Sequence, residues 1–477
     1  MEITRKKIIL ILFLLGFLLQ ANGQELINEK FYSKSVEETI DLKIWLPKDY
    51  LSEKSYPVIY EFVYDHSGYI AATLNHLYEC PKAIVVHASF YPGTSYEEPT
   101  LSAKGEKYYQ FVKDELLPHI ERKYKTLHKT ATGLSQGADY VNYILRTNPE
   151  LFDAYMIYAI ESPNYQADFT AYTDKLKEQK DYFIAIANDV ERRVQFANDL
   201  YTNLEDNAKV NVLKREYENA AHSYGMLYGL ADGLLFTYKD YVAYRDKAAG
   251  ESFSQYFSNV VHEIEQRFGT VQYNGFLITL FDQLTKESPK AEIQAVLEKL
   301  YADKVNISDL DLFNLGYMLS EELEHYDLSE ATFLESIARG KKLPAKERRM
   351  KLSDTYSWLS RVYYQQKAHD KIYSSLQDGY EVTKSKYLLR RYAAYSFHIG
   401  EEEQVKKGIA ALDRLVALPK SEDAFNNPEQ PKDAIYTLYA KGYWKLKKEK
   451  ESRKYLEKAL AINPNNESAL AFQKSIQ

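Results

Sequence analysis

The chain holds a single cysteine, Cys80, in 477 residues, so no internal disulfide can form even in an oxidising compartment. Cys80 precedes Pro81 with no motif around it and reads as a buried or idle thiol, not a nucleophile. The apolar run from Ile8 to Leu19 is also short for a bilayer-spanning helix, which needs about 20 apolar residues. Arg5, Lys6 and Lys7 precede it and Ala21-Asn22-Gly23 follows, the basic, apolar, small-residue order of a cleaved secretory leader. No cysteine follows the cleavage site, which removes the means of lipid anchoring there. The expectation is therefore an exported protein, periplasmic or secreted, with no stable membrane anchor. Charge of one sign is lacking too: 61 basic against 68 acidic residues leave -7, with both signs interspersed. That balance gives no reason to expect nucleic acid or an anionic membrane as partner.

What is present is the composition of a folded soluble protein, 45% hydrophobic and 27% charged, in a chain too long for one core. From about Glu25 to Tyr244, short β-rich runs alternate with amphipathic helices. Ile40 to Leu46 alternates apolar and polar, as a strand with one buried face does, and Pro47 ends it. Pro57–Val63, Ala83–Ala88, Phe152–Ile160 and Tyr182–Ala187 read as buried strands. Gly105 to Tyr124 is helical in pattern, with Pro118 expected to kink or interrupt it. Strands alternating with helices predict an α/β fold with a mostly parallel sheet covered on both faces.

After about Lys247 the strand signal disappears and helix pairs follow. Tyr436, Tyr439, Ala440 and Tyr443, then Ser452, Leu456 and Ala459, then Pro464, fit a tetratricopeptide template of about 34 residues. Tyr356, Leu359 and Tyr363 begin a looser copy, Phe397 lies in a third, and Leu315-Gly316-Tyr317 suggests a degenerate earlier unit. Ser421 to Lys432 reads as an inserted loop. The expected organisation is a leader over 1–23, an α/β sheet domain over 24–247 and an all-α repeat domain over 248–477. Such a stack is by default a docking surface for a protein partner; the alternative is a helical cap that only stabilises the first domain. Many of the 43 tyrosines would fill helix interfaces.

The chemistry is concentrated at Gly133-Leu134-Ser135-Gln136-Gly137. A G-x-S-x-G turn between strand and helix lifts a serine hydroxyl clear of a sheet. Thr130–Thr132 can be the strand before it, and Gly137–Arg146 the helix after it. Serine is a weak nucleophile and needs a base within hydrogen-bond reach. Of ten histidines, His222 lies best, on a loop after the strand-like Val212–Tyr217 and before a helix. His119 sits in a helix pattern, and His66 and His87 near other strand ends. Two carboxylates, Asp189 and Glu191, follow the strand Tyr182–Ala187; Asp189 is nearer the strand end, and a Ser–His dyad without either remains a third arrangement. The oxyanion hole needs two backbone donors. One is expected from Gln136, the other from Tyr64, Asp65 or His66.

Residues 30 to 244 resemble the Putative esterase family, which includes esterase D and the ferric-enterobactin esterases. The resemblance lies in Asp41–Tyr50, in Tyr56-Pro57-Val58-Ile59-Tyr60, in Phe111–Tyr124 with Glu115–Ile120, and in His222-Ser223 with Tyr228, Gly229, Leu230 and Gly233-Leu234 behind. It implies hydrolysis of a small-molecule carboxylic ester through an acyl-enzyme, with no metal or organic cofactor. The sequence departs from the family at the oxyanion loop, where Tyr64-Asp65-His66-Ser67-Gly68 stands for Asp-Gly. It departs again at Leu134 within the elbow, and at Phe90-Tyr91-Pro92-Gly93. Those positions bear on the substrate, leaving nucleophile and base in place.

Overall fold

The computed structural model describes residues 24–48, 50–77, 79–90, 103–160, 175–242, 246–271, 288–302, 307–344, 348, 350–419 and 429–476. The expected leader and most of the expected loop over 421–432 lie outside them. Two compact units divide the chain, Met1–Phe276 and Leu277–Gln477.

In the first unit eight strands form one sheet: β1 (Glu25–Ser33), β2 (Glu38–Leu46), β3 (Tyr56–Phe62), β4 (Ile84–Ser89), β5 (Thr126–Leu134), β6 (Ala154–Tyr158), β7 (Lys180–Asn188) and β8 (Val210–Ala221). Their spatial order is β1-β2-β4-β3-β5-β6-β7-β8. β1/β2 and β2/β4 pair antiparallel and the remaining pairs are parallel. The α/β expectation holds. Strands β3 and β6 are buried at every residue, which is why they read as unbroken apolar runs. β1 carries no strand signal in the sequence. Its residues ELINEKFYS alternate exposed with half-buried positions at the sheet edge, so no apolar run marks it.

The helix expected over 105–124 forms, but its middle, Phe111–Leu116, is a π-helical segment and Pro118 sits at the start of the next stretch, Leu117–Lys123. Proline has no N–H to give, and the wider turn before it accommodates that loss without breaking the helix.

The helical signal starts before the first unit ends. The sheet domain expected over 24–247 falls within a compact unit that continues to Phe276. The helix Phe253–Phe268 belongs to the sheet's core: Phe268 packs on Tyr238, Tyr241 and His128. Its start is fixed by a Ser252/Gln255 capping box.

In the second unit every described element is a helix. Asp309–Glu321 packs on Tyr326–Lys342, Leu352–Gln365 on His369–Thr383, Lys386–Ile399 on Glu402–Ala417, and Lys432–Lys445 on Glu449–Ile462. Short connections make each pair a helical hairpin. Small residues mark the close approaches: a Cβ on Gly316 would come within 2.9 Å of the Phe333 ring, and Ser452 Oγ donates to the Ala440 carbonyl at 2.8 Å.

Candidate active site

Ser135 stands between β5 and the helix Gln136–Thr147 with φ 55° and ψ -119°. A non-glycine residue rarely adopts positive φ, and the turn survives because glycines stand two places before and two places after it. A Cβ on Gly133 would lie 2.3 Å from the Gly137 carbonyl carbon, and one on Gly137 would lie 2.5 Å from the Phe62 carbonyl oxygen. Both glycines are thus required by close approach. The Ser135 amide donates to the Tyr158 carbonyl at 2.9 Å, which ties the turn to β6.

His222 follows β8 directly, on a single helical turn. Its Nε2 lies 2.8 Å from Ser135 Oγ, and its Nδ1 meets the Asp189 carboxylate. With Nδ1 protonated toward Asp189, Nε2 presents its lone pair to the serine hydroxyl. β7 and β8 are neighbours and only β6 separates them from β5, so the ends of these parallel strands bring residues 135, 189 and 222 together. Glu191, the other carboxylate considered, is exposed and opens the helix Glu191–Glu205.

Asp189 also accepts from Arg193 Nη1 at 2.8 Å and from the Val190 amide at 2.7 Å. Burial pushes its carboxyl up, but the bonds from Arg193, Val190 and His222 outweigh this and hold it below the usual range. Sequence reasoning missed Arg193. Its signal was present, since Asp189 and Arg193 are four apart across a helix start.

Gln136 is the first residue of its helix, so its amide is among those with no intrahelical acceptor, at the positive end of the helix dipole. The opposite turn, after β3, is more constrained than its sequence suggests. Val63 has φ 75° and the Tyr64 amide donates to the Phe62 carbonyl at 3.1 Å. The His66 amide donates to Glu61. Asp65 accepts from Lys43 Nζ at 2.5 Å and from Ser67 Oγ at 2.6 Å, and its carboxyl is held down at about 2.

Glu61, Asp65 and His87 bring possible ligand atoms within 4.8 Å of one another, the spacing at which a metal ion could be held. The Lys43 ammonium already supplies a positive charge to this group. His119, set aside as a packing histidine, pairs with Glu29 at 2.8 Å and packs on Phe31. Cys80 is buried, and burial pushes its thiol up, away from reactivity.

Residues 33–211 match the family described as "Putative esterase". The match lies within the sheet domain and takes in Ser135 and Asp189. Among solved structures, an IroE-like serine hydrolase from Shewanella oneidensis is 23% identical, covering 55% of this chain and 96% of its own, with a TM-score of 0.43. The BES protein from Bacillus cereus is 20% identical, covering 45% of this chain and 95% of its own, at 0.40. An uncharacterised protein from Capnocytophaga ochracea is 15% identical, covering 66% and 94%, at 0.44. No curated protein matches the chain. The sheet domain thus presents a serine, a histidine and a carboxylate in hydrogen-bonded sequence at the carboxyl edge of its sheet.

Proposed function

We propose that the chain is an exported serine esterase that cleaves a carboxylic ester through an acyl-enzyme on Ser135, with His222 as base and Asp189 as the residue that orients it. The observation behind this reading is the 2.8 Å approach of His222 Nε2 to Ser135 Oγ, with Nδ1 held by a buried carboxylate. In the acylation step Ser135 Oγ attacks the ester carbonyl carbon while its proton passes to Nε2. The carbonyl oxygen becomes an oxyanion facing the Gln136 amide and the turn after β3. Collapse expels the alcohol, which takes the proton from Nε2. Water, deprotonated by the same nitrogen, then attacks the acyl carbon and releases the acid.

Exposed aromatic side chains lie along the chain beside these groups, Tyr64 and Tyr69 on one side, Tyr224 and Tyr228 on the other, and Tyr69 Oη donates to the Leu227 carbonyl at 2.9 Å. They fit a small ester with an aromatic or apolar part. A short-chain p-nitrophenyl ester should be turned over, and Ser135→Ala should lower kcat by about 10⁶-fold. Turnover by Ser135→Ala at the wild-type rate would remove the assignment.

A second reading is a weakly active hydrolase-fold scaffold of the cell envelope. The turn after β3 favours it, since two of its amides already donate within the protein. In either reading the helical unit docks a protein partner. Removal of residues 277–477 should leave small-ester turnover within about twofold and abolish partner capture, because the first unit is compact without them. Loss of turnover in a folded truncated chain would show instead that the helices serve the active site.

A further inference from the structure

Glu61 is the most unexpected residue in the sheet. It lies in β3, where every neighbour is buried, and is itself 0% exposed. Packing alone would be met by leucine, and burying a carboxyl costs free energy unless hydrogen bonds offset it. Glu61 has such bonds, all to one residue beyond the strand. Its two oxygens accept from the His66 amide at 2.8 and 2.9 Å, and His66 Nδ1 lies 3.0 Å from one of them.

Between Glu61 and His66 the chain makes the tight three-residue turn with Val63 at φ 75°. A β-branched residue avoids that region, and such a backbone persists only where its surroundings hold it. The turn also touches the elbow. A Cβ on Gly137 would lie 2.5 Å from the Phe62 carbonyl oxygen and 3.6 Å from Val63 Cβ. A shift of the turn would therefore be felt at the start of the helix that Ser135 precedes.

We propose that Glu61 is a positioning residue for the oxyanion turn: by accepting the His66 amide it clamps Val63–Asp65 in the strained conformation that faces the substrate carbonyl. This rests on the esterase reading above. The groups that face Glu61 are His66 and Asp65 from the turn and His87 from β4, with which it is paired in register. Thr132 is its partner on β5, and Lys43 of β2 lies behind Asp65. His87 Nδ1 is buried 3.7 Å from Glu61 with no hydrogen-bond partner. It stands ready to accept from a donor at position 61.

Full-length Glu61→Leu, Glu61→Gln and His66→Ala test this through p-nitrophenyl ester kinetics and the rate of labelling by a fluorophosphonate, with melting curves recorded alongside. Glu61→Leu should lower kcat by about 10- to 100-fold with KM changed less than about threefold, because donors displaced from the oxyanion act on the transition state. Labelling should slow in proportion. Glu61→Gln should stay within about threefold of wild type, since its carboxamide oxygen still accepts the amide and its NH₂ can donate to His87. His66→Ala keeps the clamped amide and should lose less kcat than Glu61→Leu. Should Glu61→Leu not fold, Glu61→Met carries the same expectation. An unchanged kcat in the folded apolar variant, or equal losses in Glu61→Gln, overturns the clamp and leaves the esterase reading intact. Failure of the wild-type protein to label removes both.

Discussion

Two turns meet at the carboxyl edge of the sheet, and each holds a residue at positive φ, Ser135 at 55° and Val63 at 75°. They tolerate this by opposite means. At the elbow, glycines on either side remove the atoms that would collide. After β3 there is no glycine before Gly68, and a buried carboxylate holds the far end of the turn through a backbone amide. The first device is local and written into a pentapeptide. The second joins residues 61, 65, 66 and 87 with 43, across three strands and a loop. A strained turn can thus be secured by missing side chains or by a buried hydrogen-bond acceptor.

The largest way to break the comparison is at the triad itself. Asp189→Asn should lower kcat by about 10⁴-fold, because an amide that donates to Nδ1 selects the wrong imidazole tautomer; steady-state kinetics checks it, and a loss below about tenfold would favour a Ser–His dyad. Gly137→Ala forces one turn into the other, with a 2.5 Å approach to backbone oxygen. It should destabilise the domain by about 1–3 kcal/mol, read from chemical denaturation, with activity reduced as well. Smallest is a pH effect. Burial raises the Glu61 carboxyl to about 7 against the opposing bonds from His66. A raised carboxyl contributes stability below its unfolded value that is lost as pH rises through the folded value. Wild type should therefore lose stability relative to Glu61→Gln between about pH 4.5 and 7. A difference in melting temperature that does not change over that range would contradict this.

The elbow was legible because its requirements are met by neighbours in sequence. So were strands such as β3, β6 and β7, whose burial on both faces leaves an apolar run. β1 was not, since an edge strand half in water spells Glu-Leu-Ile-Asn-Glu-Lys without a block. In sequence Asp189 is preferred to Glu191 only by its place nearer the strand end; the helix that begins at Glu191 turns that side chain out while Arg193 and His222 close on Asp189. Glu61 falls inside the expected strand Pro57–Val63 with no local sign of a role. Its meaning depends on the register with His87 and on a loop that folds back to it, neither of which is local. The helix Phe253–Phe268 reads like the helices after it, and only its aromatic contacts with Tyr238 and Tyr241 assign it to the sheet.

The reactivity of one oxygen decides most. Folded full-length protein, treated with a fluorophosphonate and digested for mass spectrometry, should carry the label on Ser135. Ser135→Ala should carry none, and His222→Ala should react more slowly by at least about 10³-fold. If folded wild type stays unlabelled, or if His222→Ala reacts at the wild-type rate, the hydroxyl at 135 is not activated by that imidazole and the domain is no working esterase of this kind.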